Sequence, residues 1–94
     1  MTRIRAIVSG QVQGVGFRWS AREQADRLGL TGYVVNLADG TVETEIEGDE
    51  PAVAEMVDWL HHGPHGARVD GVTVEAVEAV EAVGAAGDRG FRIR

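Results

Sequence analysis

The spacing of apolar residues changes its period near the start of the chain. Ile4, Ala6 and Val8 alternate with mostly polar residues, Ile7 being the exception, which is typical of a strand with one buried face. After Gly10 the period changes, and from Phe17 onward apolar residues recur every three to four positions, as on one face of a helix. That face consists of Phe17, Ala21, Ala25 and Leu28. A strand, a glycine-rich junction and a helix in this order indicate a fold that combines both kinds of element.

A hairpin is predicted after this helix, which Gly29 should end. Residues 33–47 contain a short β-prone run, a turn-forming segment, and then alternating apolar and acidic side chains. The acidic positions Glu43, Glu45 and Glu47 therefore share one face of a strand. We interpret that face as a solvated surface.

A second helix is predicted to begin at Glu50-Pro51, since proline is tolerated in a first turn, and to end at Gly63-Pro64. Its buried stripe consists of Val53, Met56, Val57 and Leu60. Valines in residues 69–74 predict a fourth strand, and residues 91–93 predict a short final one. Residues 74–83 repeat Val-Glu-Ala with a period that suits neither element, so we predict strand only at their start.

The resulting order is β-α-β-β-α-β with an extra strand at the C-terminal end. This is the order of the ferredoxin-like α+β sandwich, in which two helices cover one face of an antiparallel sheet. We expect one domain over residues 1–94, with the second strand lying against the first so that its end approaches the loop after strand one. The fold alone defines no function, because it also carries RNA-binding modules and metal chaperones.

The absence of cysteine excludes several classes of function. The chain has no disulfide, iron–sulfur cluster, thiolate zinc site or cysteine nucleophile. All nine basic residues are arginine, so the lysine-containing phosphate loop of NTPases is absent too. The net charge of −6 disfavours nucleic acid and anionic membranes as partners. No apolar stretch approaches the roughly 20 residues that cross a bilayer, and we expect a cytoplasmic protein.

The junction between strand one and helix one is the strongest candidate for a ligand site. Gly10, Gly14 and Gly16 permit positive φ angles, so successive main-chain N–H groups can turn toward one point and form an anion-binding concavity. The helix that follows adds the positive end of its dipole, and the planar fork of Arg18 suits phosphoryl oxygens. The same pattern also suits a tight turn beside a solvated arginine, so the residues alone leave both interpretations open.

Two segments resemble the signatures of the acylphosphatase family. Residues 10–18, which read Gly-Gln-Val-Gln-Gly-Val-Gly-Phe-Arg, are similar to its phosphate-binding loop, and residues 28–43 are similar to its second signature. Gly63-Pro64 and the closing residues 91–93 are similar as well. The resemblance implies a hydrolase of carboxyl-phosphate anhydrides that uses no metal and no cofactor.

The resemblance also implies roles for individual residues. Arg18 corresponds to the arginine that binds phosphate, and Asn36 to the asparagine that orients the attacking water. The main-chain cradle corresponds to Val12, Gln13, Gly14, Val15, Gly16, Phe17 and Arg18. Without the resemblance, Asn36 would be interpreted as a turn residue that caps its own backbone.

Other chemically capable residues have simpler interpretations. The three histidines lie at a predicted helix end, where they suit the dipole, and we do not interpret them as a metal site; they are His61, His62 and His65. Asp39 precedes a glycine and indicates turn chemistry, not a phosphorylated nucleophile. We expect Trp19 and Trp59 to be packing residues.

Two non-catalytic alternatives remain. An RNA-binding module would require aromatic residues on the central strands and a basic surface, whereas the first and third strands have no aromatic residue and the charge is acidic. A module that binds acyl or carbamoyl phosphate would normally be fused to a larger enzyme. A chain that runs from Met1 to a final strand favours a free-standing protein, and we expect a monomer that acts on a small acyl phosphate.

Overall fold

The computed structural model describes residues 1–79 and 90–94. Within these ranges the chain forms five strands and two helices. In chain order they are β1 (Thr2–Gln11), α1 (Phe17–Arg27), β2 (Thr31–Asn36), β3 (Val42–Gly48), α2 (Glu50–His62), β4 (Arg68–Val77) and β5 (Phe91–Ile93). The predicted order of elements is confirmed, including the short final strand. Neither helix in the described part of the chain has the length and apolar character needed to span a membrane.

The strands form one sheet in the order β4-β1-β3-β2-β5. β3 pairs antiparallel with both β1 and β2, and β1 pairs antiparallel with β4. The expectation that β2 lies against β1 is wrong, because β3 lies between them. The short turn after β2 makes β3 its hairpin partner, and the crossover through α1 leaves space for β3 between two strands that run in the same direction. β5, the predicted additional C-terminal strand, pairs parallel with β2, so the otherwise antiparallel sheet is mixed at this side.

The apolar core lies between the sheet and the two helices. The alternation predicted for β1 is confirmed, since Ile4, Ala6 and Val8 are all buried. The helices contribute Phe17, Ala21 and Ala25 from α1 and Val53, Met56 and Leu60 from α2. Val57, predicted to belong to the buried stripe of α2, is only partly buried.

β4 is an edge strand and is more exposed than the inner strands. It extends to Val77, so the Val-Glu-Ala repeat begins as strand, as predicted, while residues 80–89 lie outside the described ranges. Its register with β1 shifts between Ser9 and Gly10, at the point where β1 runs toward the loop before α1.

The face of the sheet opposite the helices carries a polar network, and the prediction of a freely solvated acidic surface on β3 is wrong. Arg3 donates from Nε to Glu45 Oε1 at 2.8 Å and from Nη1 to Glu47 Oε1 at 3.1 Å. The Tyr33 hydroxyl lies 2.7 Å from Glu43 Oε2 and donates its proton toward the carboxylates. The side chains of Arg3, Glu45 and Glu47 are 11%, 18% and 12% exposed. The alternating pattern correctly placed the three glutamates on one face of β3. It could not show that Arg3 of β1 and Tyr33 of β2 contact them from either side.

This network also changes how its members titrate. Burial acts to raise the pKa of Glu45, but hydrogen bonds from Arg3 and Tyr33 outweigh burial and lower that pKa below its ordinary value. The pKa of Tyr33 is raised by burial and by its contacts with Glu43 and Glu45. The carboxylate of Glu45 is therefore stabilised in its charged form in the folded protein.

Candidate anion-binding site

The C-terminal ends of β1 and β2 lie on the same side of the sheet. This side is formed by strand ends, not by an edge strand, and is called the loop edge below. The register of the sheet aligns Val8 of β1 with Val42 of β3, and Val42 with Asn36 at the end of β2. The glycine-rich loop leaves β1 after Gln11, so it begins at the edge where β2 ends. Asn36 and the loop are therefore brought to one edge although β1 and β2 are not hydrogen-bonded neighbours.

Residues 12–16 connect β1 to α1 with a backbone that enters the left-handed region at two glycines. The φ angles are 77° at Gly14 and 79° at Gly16. A Cβ at either position would meet no atom within 4 Å, so the backbone conformation, not lack of space, is what favours glycine. Val12 is 1% exposed and anchors the loop in the core. Among residues 1–79 and 90–94, no turn or loop hydrogen bond is donated by a main-chain N–H of residues 12–16, so these donors can face an anion.

α1 begins without a side-chain cap. Its N-cap residue is Gly16, and the bond from Ser20 N to Gly16 O, at 3.0 Å, closes the first turn. The N–H groups of Phe17, Arg18 and Trp19 precede that bond and have no acceptor within the helix. No acidic residue lies in this turn, so no carboxylate offsets the positive end of the helix dipole beside the loop.

Arg18 is held by the chain that follows β5. Its Nη1 donates to the main-chain oxygen of Arg94 at 2.9 Å. Arg94 is fixed in turn, because its N–H donates to Val34 O at 2.9 Å and its guanidinium lies 3.9 Å from the centre of the Tyr33 ring. One of the five N–H donors of the Arg18 guanidinium is used in this contact, and no carboxylate side chain in the described residues lies within ion-pair distance of it.

Asn36 does not cap the turn that follows it. The capping side chain is Asp39, whose Oδ1 accepts hydrogen bonds from Thr41 N at 3.0 Å and from Thr41 Oγ1 at 2.6 Å, and these bonds lower the pKa of Asp39. The prediction of turn chemistry at Asp39 is thus confirmed. Asn36 Oδ1 is buried and accepts no hydrogen bond from any described residue. Most buried polar side-chain atoms in native proteins have a hydrogen-bond partner, so this oxygen is a candidate contact for a ligand or a water molecule.

Gln13 makes a contact that sequence reasoning missed, because only its main chain was assigned a role. Its side-chain Nε2 donates to Leu37 O at 2.8 Å and to Thr41 O at 2.9 Å. These two oxygens lie at the two ends of the turn between β2 and β3. No local pattern could reveal a bond between residues that are 24 and 28 positions apart.

The histidines that the sequence offered as candidates lie at or just after the C-terminal end of α2. His61 and His62 donate from Nδ1 to the carbonyl oxygens of Val57 and Asp58, each at 2.9 Å. In the part of the chain that the structure describes, no three histidine or acidic side chains are grouped so that they could hold a metal ion.

The two tryptophans differ from each other. Trp59 packs against Phe17, with ring centres 5.4 Å apart, as predicted. Trp19 is 58% exposed, so the prediction that it packs in the core is wrong. It lies in the first turn of α1 on the side away from the sheet, and Arg22 lies over its ring.

The fold and this edge define a ferredoxin-like α+β protein that gathers main-chain donors and one guanidinium at a strand-to-helix loop. Comparison with known proteins gives the family. The acylphosphatase family model matches residues 4–93. An acylphosphatase of Anaeromyxobacter dehalogenans is 58% identical over 73 residues, which are 78% of each chain. One of Rubrobacter xylanophilus is 53% identical over 92 residues, which are 98% of this chain and 79% of the relative.

The structural comparison agrees with the sequences. The crystal structure of acylphosphatase from Bacillus subtilis has a TM-score of 0.90 to this chain at 36% identity, and the match covers 100% of this chain and 99% of the other. The chain therefore belongs to the acylphosphatase family, as the resemblance implied. It is a hydrolase that acts on small acyl phosphates.

Proposed function

We propose that the chain hydrolyses the carboxyl-phosphate anhydride bond with Arg18 and the main-chain N–H groups of residues 12–18 holding the phosphoryl group, and with Asn36 positioning the attacking water. One observation carries the proposal: donors without a partner and a buried acceptor without a partner lie at one edge of the sheet. The donors suit phosphoryl oxygens, and the acceptor suits an O–H of water.

The hydrolysis of an acyl phosphate needs few catalytic groups, and the proposed site has a guanidinium, main-chain amides and one carboxamide. Cleavage of a phosphate monoester expels an alkoxide, which needs a general acid or a metal, whereas an acyl phosphate expels a carboxylate that is stable near neutral pH. The protein then has two tasks, to neutralise charge on the phosphoryl oxygens and to place water in line with the leaving group. A guanidinium, a ring of amides and one carboxamide suffice for both.

In the proposed reaction, the water oxygen forms a bond to phosphorus while the bond from phosphorus to the acyl oxygen breaks. The electron pair of the broken bond leaves with the carboxylate. Asn36 cannot act as a base, since a carboxamide is not basic at neutral pH, so the proton of the water passes to a phosphoryl oxygen or to solvent. No side chain of the proposed site therefore acts as the general base, which a side chain provides in other hydrolases.

The Arg18 guanidinium has further N–H donors that can bind the phosphoryl group, besides the one that contacts Arg94. Its contact with the main chain at Arg94 uses Nη1 and fixes the plane of the guanidinium. The remaining N–H groups of the fork can bind two phosphoryl oxygens side by side, which is the geometry that distinguishes arginine from lysine.

We also propose that the protein acts as a cytoplasmic monomer, in a single domain over residues 1–94, without nucleic acid. The net charge of −6 opposes nucleic acid binding. Tyr33 is the aromatic residue on the inner strands that faces away from the helices, and Arg94 covers its ring at 3.9 Å. That ring is therefore not available to stack on a base.

The purified protein should be assayed with benzoyl phosphate and with p-nitrophenyl phosphate at equal concentrations. We expect rapid release of phosphate from the first and little from the second, since benzoate is a better leaving group than p-nitrophenolate and the proposed site supplies no general acid. Arg18→Ala prepared in parallel controls for contaminating phosphatases. Comparable turnover of both substrates by the wild-type protein would contradict the proposal.

A further inference from the structure

The loop that follows β1 and the turn that follows β2 must be held at a fixed distance if both contribute to one site. β3 lies between β1 and β2, so no strand ladder joins their ends directly. In the described ranges, the hydrogen bonds between residues 12–16 and residues 36–41 are the two donated by the Gln13 side chain. One carboxamide therefore connects the anion loop to the turn that begins beside Asn36.

The geometry of this contact is well defined at both ends. The NH₂ group of Gln13 has two protons, and its two acceptors, Leu37 O at 2.8 Å and Thr41 O at 2.9 Å, account for both. Leu37 N also donates to Thr41 O at 2.9 Å, which closes the neck of the turn. The side chain is partly buried, so its bonds are shielded from competition with water.

The position of Gln13 in the chain gives this contact a consequence for catalysis. Gln13 precedes Gly14, where the loop backbone enters the left-handed region, and Leu37 directly follows Asn36. A shift of the turn relative to the loop would move the Asn36 carboxamide relative to the bound phosphoryl group. A displacement of about 1 Å between reacting groups is enough to lower a rate by about 10²-fold.

We infer that Gln13 is a positioning residue that sets the distance between the phosphoryl cradle and the water held by Asn36. The inference rests on the proposed function. It adds that the Gln13 side chain connects the loop to the turn beside Asn36, and so to the water that Asn36 positions. Gln13 touches neither substrate nor water through its side chain; it acts through Asn36. It should therefore affect turnover more than phosphate binding.

The test is a double-mutant cycle with Gln13→Met, which keeps the length of the side chain and removes both donors. In the wild-type background we expect kcat for benzoyl phosphate to fall about 10-fold or more, while the inhibition constant of inorganic phosphate changes less than about threefold. In the Asn36→Ala background the same substitution should lower kcat by less than about threefold, because the water it helps to position is already lost.

Matched variants separate this inference from the proposed function. Gln24→Met makes the same substitution on α1, where the Gln24 side chain accepts a hydrogen bond from the exposed Arg27 at 3.4 Å, and should leave kcat unchanged. An unchanged kcat in Asn36→Ala alone would contradict the proposed function. An equal loss of kcat from Gln13→Met in both backgrounds, or a parallel loss of phosphate binding, would overturn the positioning role of Gln13.

A second variant keeps the test decisive if Gln13→Met fails to fold. Gln13→Asn keeps the carboxamide but is one methylene shorter, so it cannot span to both oxygens. The same two criteria apply to it: a selective loss of kcat, and a much smaller loss when Asn36 is already alanine. Urea unfolding of each variant verifies that the kinetic measurements are made on folded protein.

Discussion

The open face of the sheet and the edge beside the glycine-rich loop both hold partly buried polar groups, but they satisfy them differently. On the open face, the guanidinium of Arg3 is bonded to Glu45 and Glu47. At the loop edge, the main-chain donors of residues 12–16 and the Oδ1 of Asn36 have no partner among the described residues. Polar groups that lose water without gaining a partner destabilise a fold. The first region therefore contributes to stability, and the second has the unsatisfied groups to which we assign the ligand in the proposed function.

The largest effect is expected when the guanidinium of Arg18 beside the glycine-rich loop is removed. Arg18→Ala should lower kcat/KM by ~10²–10³, because it removes a donor to the charge that develops on the phosphoryl oxygens. Arg18→Lys should recover only part of the loss, since an ammonium cannot form the paired bonds of the fork. Initial rates with benzoyl phosphate measure both effects.

Arg22→Ala provides the control for that substitution. Arg22 lies one turn further along α1, 46% exposed, and contacts Trp19 and Asp26. Its removal should change kcat/KM less than about twofold. Near-normal turnover by Arg18→Ala would remove Arg18 from the proposed site.

Asn36→Ala should lower kcat by about 10², with a much smaller change in inhibition by inorganic phosphate. The same variant should be as stable as the wild-type protein or slightly more stable, because it deletes a buried acceptor that has no partner. Steady-state kinetics and urea unfolding measure the two effects on one sample. Equal losses of kcat and phosphate binding would mean that Asn36 binds the phosphoryl group itself.

The open face should respond in the opposite way. Arg3→Met should lower the free energy of unfolding by about 1–3 kcal/mol, because it removes the guanidinium that Glu45 and Glu47 both contact on a partly buried face. Its kcat should be unchanged. Arg68→Met breaks the exposed pair with Asp70 and should cost at most about 0.5 kcal/mol. A loss of activity in folded Arg3→Met would show that the two regions are coupled.

A smaller effect follows from the lowered pKa of Glu45. A group whose pKa is lower in the folded state contributes stability above its unfolded pKa and loses it as the pH falls through the folded value. For Glu45 this loss begins near its ordinary pKa of 4.5 and continues below it. Glu45→Gln should therefore flatten the decline of unfolding free energy below about pH 5 relative to the wild-type protein. A slope unchanged in Glu45→Gln would contradict this account.

The contrast also explains how much the sequence could predict. Periodicity is a local property, so it correctly located the strands, both helices and the loop with Arg18. The order of strands depends on contacts distant in sequence, and for this reason the placement of β2 beside β1 was wrong. The acidic stripe of β3 was visible, but not Arg3, which lies 42 positions from Glu45.

The site followed the same rule. Arg18 and Asn36 were identified through the family resemblance, since nothing local distinguishes Asn36 from a residue that caps a turn. The contact of Gln13 with the turn after β2 could not be predicted, because its acceptor Leu37 is 24 positions away in the sequence. The contact depends on how β3 separates the loop from the turn. Residues that hold a site together across strands are the ones a single sequence does not reveal.

The smallest expected effect is that of a chelator. Activity toward benzoyl phosphate should be the same with and without EDTA, because a carboxylate leaves without a Lewis acid and Arg18 with the loop amides neutralises the phosphoryl charge. Enzyme treated with EDTA and then supplied with Mg²⁺ is the matched comparison. If EDTA abolished turnover and a divalent cation restored it, the donors at the loop edge would not be sufficient for the reaction.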